Sequence, residues 1–223
     1  MKIATNQPSS EISGILRCPP VPSRLPTLPL ELIRAGKNLF RVGISAFPAN
    51  AWDARPNADY RFSPLPASRG RTLPVIYCGA TTDVALLETV LRFDVPGGVL
   101  QSDRLTGKFL AEVETTRDLA LIPLVGPAAR LLGEGTAFHV TQCPASDYQR
   151  TREWAMTLRN THPDADGITW ISRQHGEARA LMIWRRGREK TAPLRIRDQV
   201  DLCDQRALSQ IARLADVVGI RLI

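Results

Sequence analysis

An α+β fold, a mixed β-sheet core with flanking helices, is what the order of periodicities predicts. Stretches alternating apolar and polar residues, such as Leu39–Ile44 and Lys108–Glu114, are interspersed with helical stripes such as Tyr148–Arg159. The two kinds do not alternate one for one, as a doubly wound parallel sheet would require. The chain has 223 residues, 43% of them hydrophobic, which suits one sizeable core and so a single domain with an extension.

The extension is residues 1–36, a Pro-rich N-terminal arm ending in a short helix. Pro19, Pro20, Pro22, Pro26 and Pro29 disfavour both helix and sheet and favour extended chain. A strap or leader is a better reading of this spacing than a peptide-recognition motif. Pro29 is then expected to open a helix over Leu30–Ala35, and Gly36 to stop it.

The body spans residues 37–223. In the strand Leu39–Ile44, Phe40, Val42 and Ile44 share one face and Arg41 points the other way. A loop rich in Pro, Ala and Asn ends in Asp59-Tyr60-Arg61-Phe62-Ser63-Pro64, and a second loop covers 64–74. Val75–Gly79 is a strand. A helix over Val84–Arg92 follows, with Thr81, Thr82 or Asp83 as its N-cap. Lys108–Glu114 alternates as a strand. Ser146 or Asp147 caps a helix from Tyr148 to Arg159, which Asn160 and Pro163 stop. Gly167–Ser172, Arg179–Arg185 and Leu194–Arg197 are further strands. Asp204 caps a last helix with Leu208, Ile211, Leu214 and Ala215 inward; Gly219 ends it, and Ile220–Ile223 closes as a strand. Trp154, Trp170 and Trp184 are core candidates.

Composition narrows the partners. Lys and Arg number 29 against 22 Asp and Glu, a net charge of +7 that favours an anionic partner. The basic residues are scattered and form no block, so direct nucleic-acid binding is not expected, although a basic nucleic-acid-binding module is the reading from another class. Cys18, Cys78, Cys143 and Cys203 form no Cys-x-x-Cys pair, and His139, His162 and His175 are dispersed, so neither a metal site nor a disulfide framework is predicted. No run of eighteen apolar residues and no signal-like leader occurs, which predicts a cytoplasmic protein with no membrane association. Glycine-rich nucleotide loops and the Gly-x-Ser-x-Gly elbow are missing too. Chemistry must therefore rest on Arg, Tyr, Glu and Ser.

Glu88 is the sharpest of these. At 3.6 residues per turn it falls inside the stripe formed by Val84, Leu87 and Leu91. A carboxylate aimed at a core marks either an ion pair or a reaction site. The plain alternative is an i,i+4 pair with Arg92. Taken singly, Arg41 and Arg61 read as surface charges, Tyr77 as a core aromatic and Ser172 as a turn residue at a strand end.

Taken in order they carry more. Arg41 on its strand, Arg61 twenty residues on, Tyr77 in Ile76-Tyr77-Cys78-Gly79, Glu88 eleven residues after it, and Ser172 in Asp166-Gly167-Ile168-Thr169-Trp170-Ile171-Ser172 together resemble the RES domain family from about Leu39 to Asp201. The resemblance implies a fold like the NAD-binding fold of ADP-ribosyltransferases, with residues 37–223 as the RES-type catalytic domain. It implies a toxin of a type II toxin–antitoxin system that consumes NAD⁺ as substrate. Such an enzyme is a glycohydrolase or phosphorylase that breaks the nicotinamide–ribose bond with water or phosphate. The implied partner is a small helix-turn-helix antitoxin of the Xre type. Transfer of ADP-ribose to a protein is the alternative, and self-association into a homo-oligomer is compatible with the sequence.

Roles follow from that resemblance. Glu88 stabilises the oxocarbenium-like ribose, Arg41 and Arg61 hold the pyrophosphate, and Tyr77 stacks on nicotinamide with Tyr60 as a lesser ring contact. Ser172 bonds phosphate or ribose, with His175 as its substitute or helper. The loop between Arg61 and Tyr77 is longer than the family pattern, and residues 1–36 lie outside it.

Overall fold

The computed structural model describes residues 16–92 and 98–223. The first fifteen residues of the expected arm lie outside them. In chain order the strands and helices begin with β1 (Glu31–Ile33), β2 (Asn38–Ile44), β3 (Leu65–Pro66), β4 (Thr72–Leu73), β5 (Val75–Gly79) and α1 (Thr82–Leu87). Next come β6 (Val99–Leu100), β7 (Lys108–Thr115), β8 (Leu119–Pro123), α2 (Gly126–Ala129), α3 (Thr136–Gln142) and α4 (Tyr148–Thr161). The last are β9 (Gly167–Ile171), β10 (Arg179–Trp184), β11 (Leu194–Asp201), α5 (Gln205–Val217) and β12 (Arg221–Leu222).

Eight strands form one mixed sheet in the order β1-β8-β9-β10-β5-β2-β7-β11, with β8 and β9 parallel and the other neighbours antiparallel. The fold is α+β, as the sequence predicts. Alternation along the strands sorts side chains to two faces. On β10, Ala180, Met182 and Trp184 pack under α3 and α4, whereas Leu181 and Ile183 face the other way. On β2, Phe40 and Val42 join the cluster under α1 and α5, whereas Leu39 joins the opposite face. That opposite face is closed by loop residues, among them Ala49, Trp52 and Ala192. The helical face thus carries two apolar clusters side by side. Trp154, Trp170 and Trp184 are all buried in one of them.

Several elements depart from expectation. The short helix expected over 30–35 is instead the strand β1, paired antiparallel with β8. Its apolar residues gain more from extending the sheet than a six-residue helix gains alone, since so short a helix is marginal. Gly36, at φ +83°, makes the turn into β2. β3, β4, β6, β8, α2 and α3 are additional to the elements read from sequence, β3 and β4 pairing within the expected loop 64–74. β8 is a five-residue apolar run without alternation, buried on both sides by its neighbours. α4 runs two residues further than expected, and β11 four.

Residues 16–28 lie extended along α4. Cys18, Leu25 and Leu28 are buried there. The Trp154 indole N–H donates to the Pro19 carbonyl at 2.8 Å, Arg150 to the Cys18 carbonyl at 3.0 Å, and the Leu28 N–H to His162 Nε2 at 2.7 Å. Asp147, at the N-cap position of α4, accepts from the Cys18 N–H at 2.8 Å and not from its own helix. Among the described residues, no helix is long and apolar enough to cross a membrane.

Candidate functional site

Tyr77 and Glu88 sit on consecutive elements joined by the tight passage from β5 into α1. A Cβ on Gly79 would lie 2.8 Å from the Val84 side chain and 2.9 Å from the Ala85 nitrogen, so glycine lets the helix sit directly on the strand end. The Thr81 hydroxyl caps α1 by accepting from the Val84 N–H. The helix ends at Leu87, five residues earlier than the stripe suggests, and Glu88 is its C-cap. Glu88 therefore leaves the apolar face of α1 at the helix end, half-buried, with Val84 to Leu87 buried behind it.

Its carboxylate meets Ser172 across 84 residues of sequence: the serine Oγ donates to Glu88 Oε1 at 2.6 Å. Ser172 is fully buried just past β9. Its Oγ also accepts from the His175 N–H at 3.2 Å, so the hydroxyl proton is directed at Glu88. The His175 ring turns back into its own loop, where Nδ1 accepts from the Ala178 N–H at 3.3 Å. His175 thus meets Ser172 through its backbone N–H, while its ring bonds within its own loop.

Tyr77 projects from β5 onto the same helical face. Its ring centroid lies 5.5 Å from that of Tyr60 and 6.3 Å, edge-on, from that of Trp170. The phenol shares a 3.0 Å hydrogen bond with Ser63 Oγ. Burial pushes its pKa up further than the Ser63 bond lowers it, so it stays protonated at neutral pH.

Arg61 is 8% exposed and is held from three sides. Nη1 donates to the Cys143 carbonyl at 2.9 Å, the guanidinium lies 5.1 Å from the Tyr148 ring centroid, and its own carbonyl accepts from the Thr151 hydroxyl. Burial lowers its pKa and nearby Arg173 adds to that, while the Cys143 and Glu88 side chains oppose the shift. Arginine starts so far above neutrality that the charge persists. Two further guanidiniums gather here: Arg173, which the sequence did not single out, and Arg92, read there only as an ion-pair partner for Glu88. Arg173 Nη1 donates to the same Cys143 carbonyl at 3.4 Å, and Arg92 lies 5.2 Å from the Tyr148 ring. The i,i+4 alternative for Glu88 gives way to contacts made across the fold.

Arg41 is not brought into direct contact with this group. Phe40 pairs with Gly79, so Phe40, Gly79 and Tyr77 share one face and Arg41 lies on the other with Cys78. There its Nη1 donates to the Ala49 carbonyl at 2.6 Å and its guanidinium lies 5.9 Å from the Phe109 ring centroid. Asp53 and Tyr60 lie near its guanidinium. Tyr60 itself is at the cleft, its hydroxyl accepting from Arg55 at 2.6 Å.

One cleft of the helical face therefore gathers a hydrogen-bonded carboxylate, a clamped guanidinium and a neutral phenol. A cavity of about 460 Å³ is lined by Leu124, Ala137, Phe138, Gln142 and Ile171, with Ser172 in its wall. Such a site offers anion binding, ring stacking and a carboxylate for a developing cation.

The model of the RES domain family matches residues 33–203. Among solved structures, the chain is similar to one titled as the crystal structure of the M. tuberculosis MbcT–MbcA toxin–antitoxin complex. The TM-score is 0.53 at 17% identity, over 83% of this chain and 92% of that one. No curated protein sequence matches it.

Proposed function

The chain belongs to the RES domain family, and from that premise we propose that it is an NAD⁺-consuming enzyme, the toxin of a toxin–antitoxin pair. The observation that carries the reading is the Ser172–Glu88 hydrogen bond beside Arg61 and Tyr77. It holds a carboxylate at the mouth of a cleft whose other groups suit a phosphorylated, ring-bearing ligand.

The reaction breaks the bond between ribose C1′ and the nicotinamide nitrogen, and the bonding pair leaves with nicotinamide. The ribose becomes oxocarbenium-like, and Glu88 stabilises that positive charge in a partly desolvated site. An oxygen of water or phosphate then bonds to C1′, and its proton passes to Glu88 or to solvent. With water the product is ADP-ribose; with phosphate it is the 1-phosphate of ADP-ribose. Arg61 offers forked donors to the pyrophosphate, and Tyr77, kept neutral, offers a ring face to nicotinamide. Ser172 orients Glu88. The similar solved structure is of a toxin–antitoxin complex, which supports a proteinaceous antitoxin as partner here. A small helix-turn-helix protein of the Xre type, covering the cleft, is the partner we assign.

Incubation of the purified protein with NAD⁺, followed by chromatography, tests this directly. Free nicotinamide together with ADP-ribose or its phosphate is expected. Intact NAD⁺ after prolonged incubation would reject the reading, and label retained on protein would redirect it to ADP-ribosyl transfer.

A further inference from the structure

Two guanidiniums meet one buried ring. The guanidinium carbons of Arg61 and Arg92 lie 5.1 Å and 5.2 Å from the centroid of Tyr148, which is 2% exposed and opens α4. Burial packs the ring in place, and Thr151, one turn along and fully buried, shares its hydroxyl proton between the carbonyls of Arg61 and Tyr148, tying the two backbones together. Arg92 arrives from elsewhere, four residues beyond Glu88. Each guanidinium is drawn to the electron-rich ring, and an anion bridging the two would offset their like charge. Arg173, bonded to the Cys143 carbonyl that also holds Arg61, adds to the positive field.

We infer that Arg92 is a second phosphate-binding guanidinium of the cleft, and that Tyr148 is the positioning residue that holds Arg61 and Arg92 as a pair for a pyrophosphate group. The ligand's identity as a dinucleotide rests on the proposed function; the pyrophosphate chemistry does not. Tyr148 acts through its ring face, and its hydroxyl is not required.

Titration calorimetry with inorganic pyrophosphate tests the pair in the full-length protein. The wild type binds, and Tyr148→Leu and Arg92→Met each weaken the Kd about tenfold. Tyr148→Phe, which keeps the ring, recovers it to about twofold. With NAD⁺, Tyr148→Leu raises KM about tenfold while kcat changes less than about twofold, a split that general loosening of the fold would not give. Where Tyr148→Leu does not fold, Arg92→Met alone decides. No pyrophosphate binding by the wild type, or an unchanged Kd in Arg92→Met, overturns the inference, as does an equal fall of kcat and kcat/KM in Tyr148→Leu. A wild type that binds pyrophosphate but leaves NAD⁺ intact sustains the clamp and removes the proposed reaction instead.

Discussion

Strand β9 has a carboxylate at each end, and the two are treated in opposite ways. Before it, Asp166 is 2% exposed and accepts from Arg117 Nη1 at 2.9 Å, Arg117 Nη2 at 2.8 Å and the Ala120 N–H at 2.9 Å, with Arg186 3.5 Å away. Burial pushes the Asp166 pKa up, but these donors outweigh it and hold the carboxyl below the usual range. After it, Ser172 reaches Glu88, which is half-buried, bonded by a neutral hydroxyl and close to Arg61. The first carboxylate is committed to joining β8, β9 and the turn before them. The second is oriented, yet still open to the cleft. A buried charge with many donors reads as structure, and one that is steered but accessible reads as chemistry.

The contrast is broken most sharply at Glu88. Glu88→Gln keeps the shape and removes the charge, and kcat for nicotinamide release should fall about 10²–10³-fold, with the thermal midpoint little changed. Full turnover would put the reaction elsewhere. Arg61→Ala should weaken NAD⁺ about a hundredfold by calorimetry, and it also costs stability because the Cys143 carbonyl loses its donor. At the other end of β9, Asp166→Asn should leave activity per folded molecule intact and cost about 2 kcal/mol at pH 7 in urea unfolding. Because its native pKa is depressed, that stabilisation is complete above the ordinary carboxylate pKa of about 4 and fades as pH falls through the native value. The penalty of Asp166→Asn should therefore shrink below about pH 4; a constant penalty would mean that charge is not what Asp166 contributes. Ser172→Ala, the mildest, should lower kcat about tenfold by releasing one carboxylate oxygen of Glu88.

Local periodicity made part of this legible. Alternation found β2 and β7, and the 3.6-residue stripe with its Asp204 cap found α5, whose cap accepts from the Arg206 N–H. Runs without a clear period, such as β8, carried no such signal, and a Pro-start and Gly-stop pattern pointed to a helix where the sheet edge prevails at β1. The site shows the same division. Tyr77 and Glu88 lie eleven residues apart with Gly79 between them, so the turn that joins their elements was written locally. Strand parity also gave the direction of Arg41. That Tyr77 lies on the opposite face follows only from the Phe40–Gly79 register, a pairing no local pattern specifies. Nothing local marked Tyr148, Arg92 or Arg173 as companions of Arg61. They group with it through contacts spanning from 56 to 112 residues of chain.

The segment lying along α4 has a practical bearing on how a minimal catalytic fragment should be cut. The family match begins at residue 33, but a chain trimmed there would leave the Trp154 indole and His162 Nε2 without their backbone partners and expose apolar surface beside Cys143. The same helix carries Tyr148 and Thr151, so the damage would reach Arg61 from behind. A recombinant fragment that keeps Leu16 onward retains that support.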